Sequence, residues 1–138
     1  MSTIYRNNKG FTLLETLIAL LVLSFGLLGL AGLQLKTLQS SHVSYQRGLA
    51  NIIAADAVER LWANMGAAAP RTAAQIQAQW LQHWTNTTNN RLTLPGLAGV
   101  ITPPAAGGTQ YSVTVTWTEN RFGDDASSSF VYNFMLYP

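Results

Sequence analysis

Few residues in this chain of 138 are equipped for chemistry, and most of those stand alone. There is no cysteine, and the two histidines, His42 and His83, lie far apart. No His-x-x-x-His, Gly-x-Ser-x-Gly or phosphate-cradling glycine loop occurs, so nucleophilic, zinc-hydrolytic and nucleotide chemistry find no residue set. Asp124 and Asp125, with Glu119 and Ser127 nearby, offer the oxygen ligands calcium prefers, but the EF-hand spacing is missing and a solvated acidic turn fits them better. These patterns imply no enzyme, no cofactor and no metal site. Glu15 is different. It follows Lys9-Gly10-Phe11-Thr12-Leu13-Leu14 and opens an apolar stretch with no further charge until Lys36. A carboxylate near hydrocarbon costs on the order of a few kcal/mol, less at a helix end, so an acid at that place needs a partner.

The segment behind Glu15 can cross a membrane. Thr16 to Leu35 has neither charge nor proline and spans about 30 Å as a helix, the thickness of a bilayer core. Arg6 and Lys9 precede it with no acid among residues 1–10, which keeps the N-terminus cytoplasmic and sends the remainder across. A secretory signal peptide cut after Gly29-Leu30-Ala31 is one alternative, although Glu15 would interrupt its apolar region and the run is long for such a signal. A plain single-pass anchor is another.

The basic leader, Gly10, the acid five residues on and the membrane-length helix together resemble the processing and assembly signal of type IV pilins and pseudopilins. The resemblance implies cleavage by prepilin peptidase between Gly10 and Phe11, N-methylation of Phe11, and a docking role for Glu15, which becomes the fifth residue of the mature chain. It further implies a leader at 1–10, a transmembrane and assembly helix at 11–35, and a periplasmic globular domain at 36–138. Many major pilins of this family close a C-terminal loop with a disulfide. A chain without cysteine departs from that pattern and fits a minor pilin or pseudopilin better than a main fibre subunit.

The formal charge of +2 invites a nucleic-acid reading that weakens on inspection. Without residues 1–10, and so without Arg6 and Lys9, six basic side chains (Lys36, Arg47, Arg60, Arg71, Arg91 and Arg121) face six acidic ones. They are scattered, whereas electrostatic binding to nucleic acid wants a clustered stripe.

Beyond the membrane segment the helix is expected to continue, from Phe11 to Met65 in all, about 80 Å at the standard rise. Leu38, Tyr45, Leu49, Ile52, Ile53, Ala57, Leu61 and Met65 recur at helical spacings and mark its apolar face, and Gly66 to Pro70 reads as the stop. Gly26, Gly29 and Gly32 fit either close packing of neighbouring helices or a place where the helix can loosen. Thr72-Ala73-Ala74-Gln75 has capping-box spacing and opens a second helix with Ile76, Trp80, Leu81 and Trp84 on one face, the tryptophans serving as core. Strands are expected at Val100–Thr102, at Tyr111–Glu119 with Tyr111, Val113, Val115 and Trp117 facing inward, and at Ser129–Tyr137 with Phe130, Tyr132, Phe134 and Leu136 on one face. The last two form a hairpin across Asn120–Ser128. The fold class is α+β: a long N-terminal helix packed on a small antiparallel sheet.

Asp56-Ala57-Val58-Glu59-Arg60-Leu61-Trp62-Ala63-Asn64 and the strand Ser112 to Trp117 are similar to segments of PilV-type minor pilins. That resemblance implies a minor pilin of the bacterial inner membrane and then of the pilus fibre. Its partners would be the prepilin peptidase/N-methyltransferase, other minor pilins and the major pilin, in a complex that initiates or caps the fibre. A type II secretion pseudopilin of the tip complex, and a tip adhesin or DNA-uptake pilin, are the competing assignments.

Overall fold

The computed structural model of the full chain describes residues 12–86, 88, 92–119 and 126–137. Five elements follow in order: α1 (Leu13–Met65), α2 (Ala73–Thr85), β1 (Ala98–Thr102), β2 (Gln110–Glu119) and β3 (Ala126–Met135). The α+β class read from the sequence is the one observed. The chain divides into two compact units, Met1–Ser40 and Ser41–Pro138.

The first unit holds the N-terminal half of α1. Its apolar side chains, from Leu13 through Leu38, are exposed. It is the one candidate membrane span among the described residues.

The second unit is built from the C-terminal part of α1, the second helix and the sheet. Helix α2 begins where capping chemistry places it. The Thr72 side chain accepts from the Gln75 backbone N–H and the Gln75 side chain accepts from the Thr72 N–H, so the capping box is complete. The sheet has the order β1-β2-β3, antiparallel throughout. Strand β1 starts two residues earlier than expected, because Ala98 and Gly99 pair with Thr116 and Val115. Strand β3 begins at Ala126 rather than Ser129. Ala126, Ser127 and Ser128 pair with Glu119, Thr118 and Trp117, which shortens the expected hairpin loop. Leu136 lies past the end of β3 and is buried.

The core joins all of these elements: Leu49, Ala50, Ile53, Ala54, Ala57 and Leu61 of α1, Ile76, Trp80 and Trp84 of α2, and Ile101, Val113, Val115 and Trp117 of the sheet, with Leu94 and Leu136. The expected face of α1 is therefore partly corrected. Leu49, Ile53, Ala57 and Leu61 are buried as read, but Leu38, Tyr45 and Ile52 are 67%, 57% and 58% exposed. Their place is taken by Gln46, Ala50 and Ala54, rotated to the side where the rings of Trp80 and Trp117 lie. Small residues there admit the indoles, which larger side chains would exclude.

Three indole N–H groups fasten the layers to α1. Trp80 donates from Nε1 to the Ile53 carbonyl (2.9 Å), Trp84 to Asp56 Oδ2 (2.8 Å) and Trp117 to Gln46 Oε1 (3.0 Å). Reading the tryptophans of α2 as core rather than as a stacking site holds: Trp80 and Trp84 are 0% and 8% exposed, and Trp117 of the sheet is buried with them. Gly99 in β1 is required by the same packing, since a Cβ there would run into the Trp80 ring and crowd Leu81.

Two outcomes follow for a fragment starting near Lys36, which is expected to fold and remain soluble. Trp117→Ala should destabilise it by about 3–5 kcal/mol in a denaturant melt, with less than 1 kcal/mol contradicting its place in the core. Gly99→Ala should cost about 1–3 kcal/mol, because the Trp80 ring has no free space into which to retreat.

Candidate functional site

Two regions carry the residues singled out for function. At the start of α1, Gly10 and Phe11 lie outside the described residues, and Glu15 sits in the first turn. Thr12 stands immediately before the helix. Its Oγ1 accepts from the Glu15 N–H (3.3 Å), and its carbonyl accepts from the N–H groups of Glu15 and Thr16 (2.9 and 3.3 Å). Thr12-Leu13-Leu14-Glu15 thus has the Thr-x-x-Glu spacing of a helix start, a role for Thr12 that the sequence reading passed over. Glu15 lies where unpaired helix N–H groups favour a negative charge. It is exposed, and no described residue of this chain bonds its carboxylate.

The apolar half of α1 hides its own polarity. Thr16, Ser24 and Thr37 each turn their hydroxyl onto a carbonyl one turn back, at Leu13 (2.8 Å), Leu20 (2.7 Å) and Leu33 (2.9 Å). In hydrocarbon, where no water is at hand, such back-bonding removes the cost of an unsatisfied hydroxyl. Gly26, Gly29 and Gly32 have nothing within 4 Å of where a Cβ would stand, so no contact among the described residues demands them. They offer low-profile positions to a neighbouring helix.

In the second unit the polar residues of α1 brace structure. Asp56 accepts from Trp84 and also from Arg60 Nε (2.9 Å), a half-buried i,i+4 pair. Asn64 grips Arg71 at both backbone groups, Oδ1 accepting from the Arg71 N–H (2.7 Å) and Nδ2 donating to its carbonyl (2.9 Å). That grip closes the turn between α1 and α2, and the Arg71 guanidinium continues to Gln79 Oε1 (2.7 Å). The segment Asp56–Asn64, singled out by its resemblance, therefore positions α2.

The remaining candidates stay apart. The His42 ring meets Gln46 (Nε2 to Nε2, 3.1 Å) and forms part of an open cavity of about 400 Å³ with Tyr45, Leu49, Thr93, Leu94 and Pro95. His83 packs edge-on against Trp84, at the far end of α2. Among the described residues no three His, Asp or Glu side chains gather closely enough to hold a metal ion. Asp124 and Asp125 lie outside the described residues, and Glu119 closes β2 beside them in sequence.

Comparison with known proteins places the informative region at the same end. Residues 5–31 match the family model for the prokaryotic N-terminal methylation motif. No curated protein and no solved structure matches the chain. The matched stretch carries the prepilin-type signal and runs from Tyr5 well into the apolar half of α1. It supports a type IV pilin-like or pseudopilin precursor, handled by prepilin peptidase and held in the membrane by its N-terminal helix.

Proposed function

We propose that this chain is a minor type IV pilin of the PilV kind, inserted in the bacterial inner membrane as a prepilin and packed with other minor pilins to initiate or cap a pilus fibre. The observation that carries the reading is the methylation motif over residues 5–31, which leads into an apolar helix that is unburied along its whole membrane-length window. The buried core lies wholly in the unit Ser41–Pro138. A helix segment of that character needs lipid or other helices around it, and a pilin uses both in turn. The function is assembly, with no reaction to perform.

The steps follow from the chain's residues. Prepilin peptidase cuts between Gly10 and Phe11, where a residue without a side chain leaves the peptide open to the enzyme. The same enzyme's methyltransferase activity modifies the Phe11 amine. The exposed carboxylate of Glu15 then meets the N-terminal amine of an adjacent subunit, a minor pilin or the major pilin, and sets the register between their helices. Cleavage creates the very cation that Glu15 needs. Burial of the leucine-rich helix among its neighbours supplies the association energy.

Two experiments test this. Mass spectrometry of the protein recovered from membranes should find N-methylated Phe11 as the first residue, and Gly10→Val should leave residues 1–10 attached. An N-terminus at Gly32 would instead establish a secretory signal peptide. Glu15→Ala should be inserted and cleaved normally yet recovered with partner pilins in reduced amount, because the variant removes the carboxylate without stranding a buried charge. Undiminished co-purification at native expression levels would overturn the docking role of Glu15. The partners recovered would also separate a pilus from a secretion system.

A further inference from the structure

The sheet ends on an edge that lacks the usual protection. Strand β3 runs for ten residues, each paired with β2 in an unbroken antiparallel register, and among the described residues no strand pairs with its other side. Its sequence, ASSSFVYNFM, contains no charged residue, no proline and no glycine, and the register shows no bulge. The opposite edge differs. Strand β1 is five residues long, ends at Pro103-Pro104, and has the Trp80 ring of α2 against Gly99. Proteins normally guard a long edge with lysine, proline, a bulge or a covering element, because its free N–H and C=O groups are a template for another strand.

The side chains on β3 are equally unfinished. Tyr132, Phe130 and Phe134 stand opposite Val113, Val115 and Tyr111, hence on the face that carries the core. Phe134 stacks on Tyr111 (ring centroids 5.7 Å apart) and neighbours Tyr132 (6.3 Å). Yet Tyr132 is 39% exposed, and Phe130 and Phe134 are only half-buried. The row of aromatic rings continues to the edge of the sheet and is half covered there.

We propose that β3 pairs with β3 of a second copy of this chain, antiparallel about a two-fold axis at Tyr132. The strand's composition selects its own copy. With no charge anywhere in it, self-pairing opposes no like charges. An axis at Tyr132 sets Tyr132 against its counterpart and Phe130 against Phe134 in both directions, so the half-covered aromatic row runs on unbroken into the partner. Cross-strand aromatic pairs of this kind are among the favourable ones. The contact is isologous and closes on itself, and the short, proline-flanked β1 edge offers no second site from which a fibre of sheets could grow. One strand pair buries less than the ~1,200 Å² typical of stable complexes, so the association is weak in dilute solution and strengthens where two chains share one membrane.

The absence of cysteine makes the test clean. In the full-length chain, Asn133→Cys places a thiol on the exposed face of β3, and the two thiols of a pair would lie about 7–8 Å apart as diagonal neighbours. A short bis-maleimide applied to membranes at native expression levels should then trap a species of twice the chain's mass. Thr102→Cys, exposed on β1, should give none. Adding Val131→Lys, at a position 52% exposed and so tolerant of the change, should lower trapping several-fold without shifting the denaturation midpoint. Co-expression with a Val131→Asp chain carrying the same thiol should restore it. Equal trapping at Thr102 and Asn133, indifference to Val131→Lys, or cross-linking to a different protein in place of a second copy would each overturn the proposal.

Discussion

Three indole N–H groups hold the globular part of this protein together, and each must find its acceptor on the same helix. The acceptors are Gln46 Oε1, the Ile53 carbonyl and Asp56 Oδ2, spread along one side of α1, and the donors come from both α2 and the sheet. A buried N–H left without its acceptor costs about 1–3 kcal/mol, so this arrangement fixes how far each layer can slide or turn against the helix. Other features accommodate it. Ala50, Ala54 and Ala57 keep α1 slim beneath the rings, Gly99 lets β1 approach Trp80, and Asn64 clamps the turn that returns α2 onto the helix. Without cysteine, a unit of this size has no disulfide to restrain it, and tightly packed indoles with satisfied donors do that work.

The two parts of α1 obey opposite rules. Residues of the globular unit present a mixed surface, with alanines and a buried glutamine on one side and Arg47, Asn51 and Glu59 exposed on others. The N-terminal part is apolar all round, turns its few hydroxyls back onto its own carbonyls, and has glycines that no contact among the described residues explains. A helix apolar on every side is built for surroundings that are apolar on every side. Glu15 is the exception at its mouth: it is exposed, and no described residue bonds its carboxylate.

This division accounts for a protein without a constellation for catalysis among its described residues. Its polar side chains are spent on positioning: Asp56 and Gln46 receive tryptophans, Gln75 and Thr72 cap a helix, and Arg71 ties the turn before α2 to that helix. The surfaces left over are an apolar helix of membrane-crossing length and an uncharged sheet edge.

What the sequence by itself determined is local. The capping box at Thr72, the alternation of Tyr111 to Trp117, the charge-free span from Thr16 to Leu35 and the methylation motif are each written in residues a few places apart, and the α+β class follows from them. The tertiary structure decided which side of α1 is buried. Tyr45 and Ile52 had the periodicity of core residues, and Gln46 the polarity of a surface one, yet the rings of Trp80 and Trp117 approach from the other side, where a glutamine can accept an indole N–H and alanines leave room. It also decided the start of β3, where serines with little strand character are held by the register of β2. In each case the deciding contact joins residues far apart in the chain, Gln46 and Trp117 most of all, and no spacing along the sequence encodes such a contact.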